Sequence, residues 1–233
     1  MGLETGNIGR MLLRSIALIT AALLATACSV GATGSPVSSV PAGRPLPAGT
    51  YTSGAFIPPL TFTVPDGWEK AQDLAAYLQL RPLGDEVVGI HVFKDPVAMS
   101  QAATCPTAAE PGVGSTSFDL VKWIRERPGL VVSQPGMATV GGLRGSVIDI
   151  RIADGWKASC PFAQGLPTVP LIFQPANGYR WVVVGDERLR LYVLDVPGGG
   201  LVVVDIDAFD GTRFDALLEA AAPIVRSFSF ATP

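Results

Sequence analysis

One histidine in 233 residues is the sharpest shortage in this chain, and charge follows, at 16% of the sequence. Any serine–histidine machinery would have to use His91, and no Gly-x-Ser-x-Gly elbow accompanies it. Cysteine stops at three, Cys28, Cys105 and Cys160, so a nucleophilic thiol would also depend on that one imidazole as its base. The formal net charge is only -3 and the basic residues are scattered, which excludes the electrostatic footprint of a nucleic-acid binder. Long apolar runs are missing too. The stretch from Ile16 to Ala25 falls short of the roughly 20 residues of a membrane-spanning helix.

What that short run does fit is a secretory signal. Arg10 and Arg14 precede it, and Thr26-Ala27-Cys28 follows with small residues before a cysteine. Leu24-Ala25-Thr26-Ala27-Cys28 resembles the lipobox of bacterial lipoproteins, with Ala25 where that pattern prefers Leu. The resemblance implies cleavage before Cys28, a diacylglyceryl group with palmitate-type chains on its thiol, and lipid anchoring on the outer face of the membrane. Two acyl chains suffice for stable anchoring. An ordinary secretory signal with a chance cysteine is the alternative. Met11 opens a more compact signal and leaves the mature chain unchanged. Thirteen of the 17 basic residues are Arg, and Ala, Gly, Pro and Val are plentiful, the usage of a GC-rich bacterial genome.

The expected organisation is a signal peptide over 1–27, a flexible tether over 28–54 and one globular domain over 55–233. The tether is Gly, Ser, Pro, Ala and Thr with almost no bulky apolar residue to offset the entropy of ordering it. Cys105 and Cys160 each precede a Pro, in a protein addressed to an oxidising compartment, so a disulfide is the natural pairing. A free catalytic thiol is its rival.

Within the domain, Leu60 to Val64 alternates as a half-buried strand and ends at the turn Pro65-Asp66-Gly67. Strands are expected at Ala76 to Arg81 and Val87 to Phe93, then a hairpin of Met137 to Val140 with Ser146 to Ile152. Trp181 to Val184, Arg188 to Leu194 and Leu201 to Ile206 continue the series, the last two joined at Pro197-Gly198-Gly199-Gly200. That glycine run lacks the Lys-Ser/Thr ending of a phosphate loop. Thr116 with Asp119 forms a capping box for a helix burying Phe118, Leu120, Val121 and Ile124. Thr212 with Asp215 caps a second, which carries Phe214, Leu217, Leu218 and Ala221 and ends near Pro223, before a closing strand from Val225 to Phe230. The fold class is therefore α+β, a mostly antiparallel sheet with two main helices packed on it.

Val64-Pro65-Asp66-Gly67-Trp68 and Ile224-Val225-Arg226-Ser227-Phe228-Ser229-Phe230 resemble the start and end of the PsbP-like α/β sandwich, which actinobacterial LpqN-type envelope lipoproteins share. The resemblance spans roughly 58–231. It implies a fold and an envelope location, and a binding or assembly factor in place of an enzyme; it carries over no catalytic residue and no cofactor.

Candidate chemistry is sparse. His91 shares a strand face with Gly89 and Phe93, where a structural or surface role is the plain expectation. Asp205, Asp207 and Asp210 fall together, the first two on one strand face, and read either as a hard-cation site or as solubilising acids at a strand end. Trp68 and Trp123 sit in core patterns, whereas Trp156, in the polar loop Asp154-Gly155-Trp156-Lys157, is the candidate ligand contact. The functional expectation is a tethered, non-catalytic binding or assembly module. Its partners would be the membrane through Cys28 and an envelope protein, a glycan or a hydrophobic small molecule. A carrier of lipid, or less readily an envelope hydrolase using Asp205 and Asp207, is the alternative.

Overall fold

A computed structural model describes residues 42–231. The signal segment, Cys28 and most of the tether lie outside the described residues. Among the described residues, fifteen strands and two α-helices follow in order. The first group is β1 (Arg44–Leu46), β2 (Gly49–Thr52), β3 (Leu60–Val64), β4 (Trp68–Leu74), β5 (Tyr77–Pro82), β6 (Val88–Lys94) and β7 (Val97–Ala98), then α1 (Ser117–Arg125). After it come β8 (Leu130–Val132), β9 (Gly136–Val140), β10 (Leu143–Ile152), β11 (Thr168–Gln174), β12 (Tyr179–Val184), β13 (Arg188–Asp195) and β14 (Leu201–Ala208). The helix α2 (Phe214–Arg226) and β15 (Ser229–Phe230) close the chain. No described helix is long and apolar enough to cross a membrane.

Nine strands form one antiparallel sheet in the order β1-β4-β5-β6-β14-β13-β10-β8, with β9 also paired to β10. Its interior strand β14 is buried along its whole length. Alternation sends Val202, Val204, Ile206 and Ala208 into one core, under α2 and the small sheet β15-β3-β2. Leu201 and Val203 enter the other core, under α1 and the small sheet β12-β11-β7. One helix on each face of a central sheet is the α+β sandwich that the strand and helix patterns imply.

Several boundaries differ from expectation. β1 and β2 lie inside the stretch read as tether, because Leu46 and Tyr51 are bulky enough to be buried, at 2% and 7% exposure. The carboxylate of Asp73 also holds the following loop, accepting from the backbone N–H groups of Gly54, Ala55 and Phe56. In α1 the Thr116 cap forms as expected, yet Phe118 is 72% exposed. Asp195, at the end of β13, takes both the backbone N–H and the hydroxyl of Ser117, which turns Ser117 inward and Phe118 out. The expected Thr212–Asp215 box does not form; Asp210 accepts from the Thr212 N–H and opens a single tight turn, and α2 starts at Phe214. Pro223 sits inside α2 instead of ending it. Its ring removes one hydrogen bond near the C-terminus, and burial of Ile224 and Val225 beyond it outweighs that loss. The closing strand shrinks accordingly to Ser229–Phe230.

Candidate functional site

On β14 the odd positions Asp205 and Asp207 face inward with Val203, a placement alternation alone dictates. They are 0% and 7% exposed, so the reading as solubilising strand-end acids is corrected: pairing on both edges puts β14 in the middle of the sheet. Asp205 lies opposite His91 of β6, and Asp207 opposite Gly89. Asp210 stays at the surface as the cap described above.

His91 is 4% exposed and both of its ring nitrogens are engaged. The Tyr77 hydroxyl stands 2.7 Å from Nδ1, and Asp207 Oδ1 stands 2.8 Å from Nε2. The tautomer that suits both neighbours has Tyr77 donating to Nδ1 and the proton on Nε2. Nε2 is then the donor that faces Asp207 Oδ1. Trp181 covers the imidazole with its ring centre 4.3 Å away, and Phe93 and Tyr77 flank it.

Glu187, in the turn after β12, completes the cluster. One of its carboxyl oxygens accepts from the Val184 N–H at 2.8 Å, and the Asp207 carboxyl lies beside it. Burial, with the Asp207 charge beside it, pushes Glu187 up to about 8, so it holds a proton at neutral pH. Burial, reinforced by Asp207 and Glu187, raises Asp205 well above the carboxylate range. Burial likewise raises the Tyr77 phenol. The Trp181 indole N–H is the donor that faces the buried Asp205 carboxyl, and it offsets only part of that carboxyl's rise. Among the described residues no group of three or more His, Cys, Asp or Glu is arranged to hold a metal ion.

Two cavities meet at Glu187. The larger, a groove of about 670 Å³, is lined by Arg151, Trp156, Leu166, Glu187, Arg188 and Phe209 among others. The smaller, about 270 Å³, has Glu86, Arg180, Trp181, Glu187, Asp207 and Phe209 in its wall. Trp156 stands between the groove and a third cavity of about 450 Å³ that reaches Arg127 and Cys105. Its indole N–H donates to the Thr168 carbonyl at 3.1 Å, and its ring lies against Gly129, where a Cβ would come within 2.6 Å of it. Cys105 and Cys160 are joined as a disulfide, with Cα atoms 5.6 Å apart, which closes the free-thiol alternative.

Strand alternation thus places Asp205, Asp207 and His91 on the right faces. Glu187 and Tyr77 escape a reading of the sequence. Tyr77 joins the site through the pairing of β5 with β6, and Glu187 belongs to a turn with no pattern of its own.

No known family model matches the chain, and no curated protein does. Among solved structures, the solution structure of the cyanobacterial PsbP (CyanoP) of Synechocystis is similar, with 11% identity and a TM-score of 0.39 over 83% of this chain and 98% of that one. A crystal structure of a protein from Bacteroides thetaiotaomicron shares 8% identity and a TM-score of 0.31, covering 74% of this chain and 45% of its own.

Proposed function

We propose that this chain is a lipid-anchored, extracytoplasmic binding module of the cell envelope, tethered through Cys28 and taking its ligand in the groove beside Trp156. The lipobox-like segment and the LpqN-type resemblance support the anchor and the location. The observation that carries the binding role is the groove itself. About 670 Å³ is ample for a small ligand, and it combines apolar Trp156, Leu166 and Phe209 with a rim of Arg151, Asp154, Asp186 and Arg188. Such a lining suits a ligand with an apolar face and a polar edge, as a sugar ring has, better than a bare lipid tail.

The test is retention of the protein on isolated cell-wall glycan, together with native mass spectrometry of the membrane-extracted chain from its own host. Retention that falls at least tenfold in Trp156→Ala supports the reading. Equal retention of wild type and variant overturns the groove, and a chain that stays in the membrane fraction after Cys28→Ser overturns the anchor. Turnover of the glycan, abolished by Glu187→Gln, would replace binding with hydrolysis.

A further inference from the structure

A guanidinium taken partly out of water needs acceptors to replace the water it loses. Five arginines among the described residues are half-buried: Arg81, Arg127, Arg151, Arg188 and Arg190. Arg81 is paired with Glu69, Arg151 with Asp154, Arg188 with Asp215 and Arg190 with Asp149, at 2.6–3.6 Å. Arg127 is the exception. Its Nε donates to the Trp123 carbonyl at 3.0 Å, and no carboxylate or other acceptor among the described residues meets its two terminal nitrogens.

The unpaired group is also held still. Its guanidinium carbon lies over the buried Trp123 ring, 4.6 Å from the ring centre. Stacking and the Nε bond together set the plane of the guanidinium and leave its Nη1–Nη2 edge for a partner. That edge presents two parallel N–H groups, the fork that a carboxylate accepts in two bonds. Arg127 is in the wall of the cavity of about 450 Å³, and it is the one side chain there that carries charge, since Cys105 is spent in the disulfide. Trp156, Pro128, Ala158, Val169 and Pro170 make that wall largely apolar. A lone cation selects an anion. The apolar wall selects against a bare one such as phosphate, most of whose oxygens would lose water and gain no donor. The volume is that of a small-ligand site.

We propose that this cavity binds a monocarboxylate with an apolar body, its carboxylate on the Nη1–Nη2 edge of Arg127 and its body against Trp156, Pro128 and Pro170. This goes beyond the reading of the Trp156 groove and does not depend on what that groove holds. Trp156 is in the wall of both cavities, whereas Arg127 is in the wall of this one and not of the groove. An aliphatic acid and the C-terminal end of a peptide both carry this chemistry. Binding is ionic, and no covalent bond changes.

The test uses the full chain in detergent with sodium pentanoate, N-acetyl-leucine as the analogue of a peptide end, pentan-1-ol as the uncharged counterpart and sodium phosphate as the bare anion. Saturable shifts of the Trp156 indole N–H and the Gly129 amide in nitrogen-correlated spectra are expected with the carboxylates, and not with pentan-1-ol or phosphate. The tighter of the two carboxylates names the source, an aliphatic acid or a peptide end. Arg127→Gln, which keeps a donor for the Trp123 carbonyl, should weaken binding about tenfold or more. Arg127→Lys, which keeps the charge and loses the fork, should fall between. No saturable shift with either carboxylate up to about 100 mM overturns the proposal. So do equal shifts with pentan-1-ol or phosphate, a comparison on the wild-type chain that decides even where a variant does not fold. Unaltered affinity in Arg127→Gln overturns it as well.

Discussion

Gly89 stands directly across the strand pair from Asp207, and the space its missing side chain leaves is where His91 Nε2 lies. A Cβ built there would approach Nε2 to 2.9 Å and the Leu80 carbonyl to 3.2 Å, closer than such contacts ordinarily stand. A glycine inside a strand is otherwise a liability, since alanine there loses less conformational freedom. Gly89→Ala should therefore lower stability, by about 1–3 kcal/mol, where an unconstrained strand position would gain. Chemical denaturation of Gly89→Ala, His91→Ala and the double variant checks the cause. The two losses should couple and fall well short of additive. Additive losses would mean that the imidazole is not what the methyl group strikes.

Stability should also fall as the solution becomes alkaline. Glu187 is raised from 4.5 to about 8 by burial, and Asp205 is raised from 3.8 by burial and its acidic neighbours. Each folded carboxyl holds a proton that its unfolded counterpart releases above its ordinary value. Their contribution is whole below about pH 4 and, for Glu187, is lost progressively as pH rises to about 8. Asp73 and Asp85 act in the opposite sense: the Lys70 ammonium and backbone N–H groups outweigh burial to lower Asp73, and Arg213 lowers Asp85. Their share is present at neutral pH and is lost on acidification. Melting temperatures from pH 4 to 9 should peak on the acid side of neutrality. Glu187→Gln should flatten the decline between pH 5 and 8, and an unchanged slope would count against a proton-loaded Glu187.

Period-two alternation was readable wherever a strand has one apolar face. Leu189, Leu191 and Val193 of β13 are 0% exposed, and the turn Gly198-Gly199-Gly200 follows with all three residues at positive φ. β11 was not readable, because Pro170 in its middle argues against a ladder. The strand accommodates it with a register shift between Pro170 and Ile172. The acid cluster was half legible. Faces follow from alternation, and the β13–β14 hairpin from its glycine turn, but the decision that Asp205 is buried depends on β6 covering the other edge of β14, a long-range pairing that no local pattern encodes. The rotation of α1 escaped for the same reason, since Asp195 acts on Ser117 from 78 residues away.

Reduction should cost the domain much of its stability. The bridge between Cys105 and Cys160 spans 55 residues, and closing a loop of that size is worth roughly 4 kcal/mol in the chain-entropy account. For a domain of this length that corresponds to a fall in melting temperature on the order of 10 °C. Thermal denaturation with and without reductant, and of Cys105→Ser with Cys160→Ser, should agree. A fall with reductant but none in the double variant would place the effect elsewhere.

Asp195 offers the last test, because one carboxylate there serves two elements. It accepts the Ser117 backbone N–H at 2.7 Å and the Ser117 hydroxyl at 2.6 Å, so the first turn of α1 is fastened to the end of β13. A negative charge at a helix N-terminus is favourable in its own right, and the N–H it satisfies belongs to the group a helix leaves unpaired. Thr116 supplies a local cap to Asp119 and would survive the loss of Asp195. Asp195→Ala should thus cost about 1–2 kcal/mol without melting the helix. Asp195→Asn, which keeps an acceptor and drops the charge, should recover part of it. The readout that separates docking from simple capping is amide hydrogen exchange: protection should fall at Ser117 and Phe118 and persist at Trp123 and Ile124, which are buried at 7% and 0% exposure. Loss of protection along all of α1 would mean that Asp195 holds the helix on the sheet and does more than set its rotation.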